Sequence, residues 1–210
     1  MNSMMPAKIF AVLACMAISA TGLQYEPGTP CDFSGLDVEG PINRMIEQLP
    51  ESEVRRSIAS NAKFLGVEFL PLKITGLNKI KRYGAIVPFC VNGTRMIQVD
   101  FAQMDGVALT LPWRTCTGKE GDLQLRAKIS RFTTLFRVEA TELGEVIRLV
   151  LEGPTIPGTT GELMIYAHGG GFLLPISMGY VSLVFPAALQ EIWNMEFFAS
   201  FVTSVRGVLA

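Results

Sequence analysis

The sequence predicts an α+β protein, in which a curved antiparallel β-sheet is wrapped around a long apolar C-terminal helix and preceded by an N-terminal amphipathic helix. Three observations predict this class. Apolar residues repeat at helical spacing over residues 41–66, alternate with polar residues over 67–152, and return to helical spacing in a long apolar stretch after Leu163. Strands joined by short turns are typical of an antiparallel meander with one apolar face. A chain of 210 residues, 49% of them apolar, can bury a sizeable core.

Composition excludes several classes of function. The net charge is −1, and no basic cluster is longer than Lys79-Ile80-Lys81-Arg82, so nucleic-acid binding is not expected. The single histidine, His168, excludes most hydrolase triads and His-rich metal sites. The glycine-rich stretches lack the Lys-Ser/Thr pair of a phosphate-binding loop. We therefore expect no metal, no cofactor and no enzymatic activity.

The N-terminus has the layout of a secretory signal. Lys8 precedes an apolar stretch over residues 9–18, and small residues follow at Ser19, Ala20 and Gly22. Ten apolar residues are too few to span a bilayer core of about 30 Å. The sequence therefore predicts a signal peptide over residues 1–22, an extended entry segment over 23–40, one domain over 41–210, and a secreted, extracellular protein.

Removal of that signal leaves Cys31, Cys90 and Cys116, of which two should pair in an oxidising compartment. We predict a Cys90–Cys116 disulfide, because both residues adjoin turn-like stretches of the same segment. Cys31 would then be free or would link two chains as a dimer, although pairing of Cys31 with either of the others stays open. Asn92-Gly93-Thr94 is a glycosylation sequon on a tight Asn-Gly turn, which predicts a glycan on Asn92.

The first helical segment is predicted in two pieces. Ile42, Met45 and Leu49 lie on one stripe, Pro50 interrupts it, and apolar residues at the same spacing resume it as far as Leu65.

In the strand region, Leu123, Leu125 and Ala127 alternate with polar residues, but after Phe132 the alternation changes phase, which predicts a bulge or bend. Asp105-Gly106 fits either a hairpin turn or the middle of one long bent strand. In the second case Cys90 and Cys116 would lie far apart.

After a predicted loop over residues 153–161, residues 163–190 contain no Asp, Glu, Lys or Arg. Met178, Val181, Phe185, Ala188 and Ile192 keep a helical stripe, and a helix so apolar must be buried in protein or in lipid. A membrane anchor through 163–190 is therefore one alternative. It is disfavoured by internal glycines and prolines and by the absence of flanking basic residues.

His168-Gly169-Gly170-Gly171-Phe172 is similar to the oxyanion-hole segment of lipases and carboxylesterases. The sequence has no Gly-x-Ser-x-Gly nucleophile motif, and a catalytic triad would need a second histidine. The glycines are therefore predicted to form a hinge between a strand and the last helix.

Two stretches carry a resemblance to a known family. Residues 73–84, KITGLNKIKRYG, resemble the strand signature of the arthropod group 7 mite allergens, and residues 170–175, GGFLLP, followed by 180–193 are similar to that family's entry into its last helix. The family belongs to the tubular lipid-binding superfamily, with bactericidal/permeability-increasing protein and juvenile-hormone-binding proteins. The resemblance covers about residues 41–210 and implies lipid binding without catalytic residues. The positions of Cys90 and Cys116 and the glycine run depart from the pattern.

Together these features predict a secreted, non-catalytic protein that binds a lipid or another hydrophobic small molecule in an apolar channel between sheet and helix. Transient contact with lipid surfaces is a further possible partnership. The alternative is a secreted interaction protein of the same fold with a filled core, acting on host or microbial surfaces. The residues expected to line the channel, chosen because the strand and helix faces keep a consistent phase there, are Phe101, Leu123, Leu125, Phe136, Val138, Val181 and Phe185.

Overall fold

The computed structural model of the protein describes residues 31–55, 63–64, 66–104, 106–140 and 147–210. The predicted signal peptide and residues 23–30 of the entry segment lie outside these ranges. The helices are α1 (Glu39–Glu47), a 3-10 turn (Leu77–Lys79), α2 (Leu173–Val184) and α3 (Pro186–Leu209). The strands are β1 (Ser52–Arg55), β2 (Lys63–Phe64), β3 (Val67–Phe69), β4 (Leu72–Thr75), β5 (Lys81–Arg82), β6 (Val87–Val91), β7 (Thr94–Met104), β8 (Ala108–Thr115), β9 (Glu120–Ala140) and β10 (Ile147–His168).

The strands form one antiparallel sheet of four long rows. β10 pairs with one edge of β9, while β7 and β8 lie end to end along its other edge. β3, β4, β5 and β6 follow one another along the outer edge of β8 and β7, and β1 and β2 add to β4 and β3. The α+β class is confirmed, with a large antiparallel sheet, an N-terminal helix and a long C-terminal helix.

β7 and β8 both run antiparallel to the same edge of β9, so they are two parts of one bent row. Met104 lies opposite Ile129 and Ala108 lies opposite Arg126, which places three residues of this row against two of β9. The buried Gln103 supports the interruption: its Nε2 donates to the Ala127 carbonyl at 3.0 Å, and the Gly106 amide donates to its Oε1 at 3.2 Å. The predicted change of phase in β9 is present, between Ala127 and Ser130 rather than after Phe132.

Three of the four rows of the sheet are irregular at this same level, and the fourth, β9, changes phase there. The 3-10 turn separates β4 from β5 beside the bulge, where a side chain in place of Gly76 would collide with the Gly106 carbonyl. On β10, Glu162 has φ of 49° between residues that pair with Ala127 and Ile129. Because bulges bend and twist the strands that carry them, the aligned interruptions divide the sheet into two halves.

Two predicted elements are wrong in part. The helix over 41–66 ends at Glu47, and Ser52–Arg55 forms a strand with β4, while 56–62 lie outside the described residues. Pro50 explains the stop, because proline disfavours helical geometry at the residue before it. The loop over 153–161 is instead part of β10, with shifts of register on either side of Ile156 and Pro157. Prolines are tolerated there because β10 has an edge that no described strand pairs.

The C-terminal helix is not continuous. α2 and α3 are bent by 94° at Phe185, and Pro186 begins α3, since proline cannot donate the amide hydrogen bond that would continue α2. Among the described helices none is by itself long and apolar enough to cross a membrane, although this bent pair passes together by length and composition. Residues 163–168 of the suggested anchor belong to β10.

One half of the sheet is closed by aromatic packing against α3. Phe197 and Phe201 of α3 lie with ring centroids 5.4 and 4.8 Å from that of Phe132, and Phe201 also contacts Phe101 at 5.5 Å. At the boundary between the halves, Trp193 Nε1 donates to Ser130 Oγ at 3.3 Å. The helix is thus held against this half of the sheet by contacts between large aromatic rings.

Two of the three cysteines pair as expected, but the predicted partner is wrong. Cys31 and Cys90 form a disulfide with Cα atoms 5.8 Å apart, and Cys116 is free and exposed. Cys90 pairs with Arg95 at the start of β7, whereas Cys116 follows the end of β8. The single bent row carries these two cysteines to opposite ends of the sheet, far beyond the ~7 Å between Cα atoms that a disulfide permits. A dimer through Cys31 is therefore not available to the disulfide-bonded chain.

Candidate functional site

An apolar cavity of about 410 Å³ lies between α3 and the half of the sheet that contains β8. Its floor comes from β4, β8, β9 and β10, and its roof comes from the first three turns of α3. The lining residues are Leu72, Leu109, Leu111, Leu123, Leu125, Ile165, Leu189, Ile192, Met195 and Glu196.

The floor of the cavity consists of alternate residues of neighbouring strands, which the register of the sheet places opposite one another. Leu111 lies opposite Leu123, and Leu125 lies between Leu109 on one side and Ile165 on the other. Residues directly opposite in neighbouring strands share a face of the sheet, and every second residue of a strand returns to that face. Aliphatic side chains from neighbouring strands therefore lie side by side on the floor, although some of them are more than fifty residues apart in the sequence.

The cavity exists because the two halves of the sheet carry side chains of different size. In the closed half, rings from α3 meet rings from β7 and β9. In the other half, the floor carries leucine and isoleucine, and α3 presents Leu189, Ile192 and Met195. Where aromatic rings do not project from both sides, the same helix–sheet separation leaves unfilled volume, although protein interiors are normally close-packed.

The lining residues offer a ligand apolar contacts but few polar or charged groups. Glu196 is the one charged side chain among the described lining residues, and it is half-buried. Ile192 and Met195 are 48% and 46% exposed, so they form the rim through which the cavity meets solvent. Within the described part of the chain, no group of three His, Cys, Asp or Glu residues could hold a metal ion. A ligand here would be held chiefly by apolar contact.

The structure brings two of the seven predicted residues to the cavity, Leu123 and Leu125. Phe101, Phe136 and Val138 are buried in the closed core instead. Val181 lies half-buried on α2, and Phe185 is 57% exposed at the bend between the helices. Neither Val181 nor Phe185 lines the cavity. Consistent phase therefore identified the inner faces of the strands but not those of the helices, and it did not separate the closed half of the sheet from the open one.

Several lining residues were missed although a signal for them exists. Leu109 and Leu111 share the alternation of β8, and Ile192 lies on the predicted helical stripe. Leu72, Ile165, Leu189, Met195 and Glu196 could be assigned only with the register and the direction of α3 known.

A second cavity of about 380 Å³ lies between α1, the start of β10 and the end of α3. Its lining includes Arg44, Gln48 and Arg148 beside apolar residues, so its chemistry differs from that of the apolar cavity. Residues 141–146, which precede β10, lie outside the described residues. We assign no function to this second cavity.

The glycine run after His168 forms the turn from β10 into α2. A Cβ on Gly169 would lie 2.5 Å from the Glu120 carbonyl oxygen, so glycine is needed where β10 passes close to β9. His168 Nδ1 lies 2.9 Å from Asp122 Oδ1 on the exposed surface. At the other end of the sheet, Asn92 is exposed in the β6–β7 turn with φ of 49°, as the Asn-Gly pattern predicted, while its glycosylation stays a prediction.

No protein-family model matches this chain, and no curated protein matches it. The resemblance to the group 7 mite allergens therefore stays an expectation, and the function has to be argued from the cavity.

Proposed function

We propose that this chain is a secreted, non-catalytic binding protein that holds a lipid or another hydrophobic small molecule in the apolar cavity under α3. The observation that carries the proposal is a cavity of about 410 Å³ with nine apolar residues and one carboxylate in its lining. Small-molecule sites typically have volumes of ~300–1,000 Å³ and mostly apolar walls with few polar groups. The resemblance to tubular lipid-binding proteins supports the same class of ligand.

The lining favours a particular kind of hydrophobic molecule. Burial of apolar surface contributes about 25 cal/mol per Å², so an elongated aliphatic or polycyclic body suits walls of leucine and isoleucine. The polar end of such a ligand would lie near Glu196, beside the rim formed by Ile192 and Met195. A carboxylate repels an anionic head and accepts a hydrogen bond from a hydroxyl or amine. We therefore favour an uncharged alcohol-type ligand over a free fatty acid.

Two features support an extracellular setting for this function. Cys31 and Cys90 form a disulfide, and disulfides persist in oxidising compartments. The sequon at Asn92 is exposed on a tight turn, where a glycan can be attached. Both agree with the signal peptide predicted over residues 1–22.

The test is displacement of a fluorescent long-chain probe, with variants that fill the cavity. Leu111→Trp and Leu123→Trp each add a bulky ring to the floor at half-buried positions, and we expect at least tenfold weaker probe binding. Ile156→Trp is the matched control, because Ile156 is 49% exposed on β10 and does not line the cavity. Circular dichroism verifies that all variants fold. If the unmodified chain binds no probe, or if the two cavity variants bind it as well as the control, the proposal is wrong.

A further inference from the structure

Helix α2 presents a stripe of large apolar side chains to solvent. Leu173, Ile176, Tyr180, Leu183 and Val184 are all exposed, from 44% for Ile176 to 76% for Leu173. At 100° per residue these positions fall on one stripe about 100° wide. A surface helix normally directs its apolar side chains toward the core alone. α2 has them on both sides, since Leu174, Met178 and Val181 are half-buried on the side away from this stripe.

The orientation of α2 is also fixed by polar contacts on the inner side of the helix. The Ile165 amide of β10 donates to Ser182 Oγ at 2.9 Å, and Ser182 Oγ donates to the Met178 carbonyl at 3.0 Å. Ser182 thereby caps an amide on the edge of β10 that no described strand pairs, and this serine is 5% exposed. Rotation of α2 to bury its stripe would leave that amide without a partner.

The exposed stripe continues beyond the helix at both ends. Phe172 is 81% exposed before α2, and Phe185 is 57% exposed at the bend. We call these two residues and the five of the stripe the apolar platform. Residues 163–190, which include the whole platform, contain no Asp, Glu, Lys or Arg. Ile192, on the cavity rim, lies seven residues after Phe185, about 10 Å along the helix axis.

We infer that the apolar platform docks the protein on the surface of a lipid bilayer, with α2 lying in the interfacial plane. The twelve residues of α2 extend about 18 Å, which is short of a hydrocarbon core of about 30 Å. Helices that lie in the interface bury an apolar face of leucine and aromatic residues to a depth of about 5–10 Å. This inference goes beyond the proposed function, since it depends on the platform and not on what occupies the cavity.

A bilayer fits the platform better than a protein partner does. Protein interfaces carry about one hydrogen bond per 100–200 Å² and a polar rim, whereas the stripe offers the hydroxyl of Tyr180 as its polar group. Lipid acyl chains require no such partners, and tyrosine is enriched at the membrane–water boundary. The cavity rim also lies next to the platform, so a hydrophobic molecule could pass between bilayer and cavity with little exposure to water.

The experiment is co-sedimentation of the full protein with phosphatidylcholine vesicles at low and high salt. We expect binding to these vesicles, which carry no net charge, with little dependence on salt, because the platform contains no basic residue. The double variant Leu173→Glu/Leu183→Glu should bind at least tenfold more weakly, since both side chains are exposed and the fold does not need them. Val87→Glu is the matched control on β6, at the opposite edge of the sheet, where Val87 is 50% exposed, and it should bind as the unmodified protein does.

Probe binding in solution separates this inference from the proposed function. The double glutamate variant should keep full affinity for the fluorescent probe, because neither residue lines the cavity. Vesicle binding that is absent, or that is equal in the double variant and the control, would overturn the docking inference whatever the probe shows. Concentration-dependent dimerisation that the double variant abolishes, in a protein that ignores vesicles, would assign the platform to a second copy and would also overturn it.

Discussion

Single residues decide where the sheet bends and where the cavity opens. Gln103 spans the interruption between β7 and β8 through two hydrogen bonds, and Ser130 accepts a hydrogen bond from Trp193 where the halves of the sheet meet. No alternation pattern could have identified Gln103 as buried, because a polar residue in a strand ordinarily indicates the solvent face. The change of phase near Phe132 was visible in the sequence. The role of the Gln103 amide side chain in stabilising the bend was not visible there.

The carboxylate of Glu196 leads to a prediction about ligand choice. A saturated long-chain alcohol should displace the probe more effectively than the carboxylic acid of equal chain length, because the ionised acid meets a like charge beside the rim. Glu196→Gln should reduce this difference between the two competitors and leave the affinity for the alcohol within about threefold. An acid that competes as well as the alcohol in the unmodified chain would contradict this role for Glu196.

At the scale of elements, the sequence predicted the types of structure better than their limits. The alternation of β9 is observed, because this strand is long and strongly periodic. The predicted stripe of the last helix is wrong in part, because Phe185, Ala188 and Ile192 are exposed. α3 buries Leu189, Trp193 and Phe197 instead. The prediction of a helix over 41–66 was wrong after Glu47. The apolar residues beyond Pro50 suit an extended strand paired with β4 as well as they suit a helix. The loop over 153–161 failed because its prolines and glycines are accommodated in an edge strand with shifted register.

α3 packs against both the closed and the open half of the sheet, and the difference between them can be tested by the free energy of unfolding of variants in each half. Phe201→Ala removes a fully buried ring that contacts Phe101 and Phe132, and we expect the free energy of unfolding to fall by about 3–5 kcal/mol. Met195→Ala changes a rim residue that is 46% exposed, and the loss should stay below about 1 kcal/mol.

Urea denaturation of both variants gives these two values. Losses of similar size would mean that α3 is packed equally tightly along its length, and the distinction between the closed half and the open half would not hold.

At the scale of the molecule, the many apolar residues of the sequence fall into three groups. Part lies in the predicted signal peptide, part lies in the aromatic core, and part lines the cavity and forms the apolar platform. The sequence indicated that an apolar C-terminal segment must be covered by protein or lipid. It could not indicate that the 94° bend at Phe185 would bury α3 and leave the apolar face of α2 exposed.

The central claim is that the cavity under α3 holds one hydrophobic molecule. Native mass spectrometry of the chain titrated with a long-chain alcohol tests it most directly, because the bound molecules are counted. The account predicts a single added alcohol per chain, saturating with concentration, and no such adduct on Leu123→Trp. An unmodified chain that takes up no alcohol, or adducts that are the same on Leu123→Trp, would contradict it.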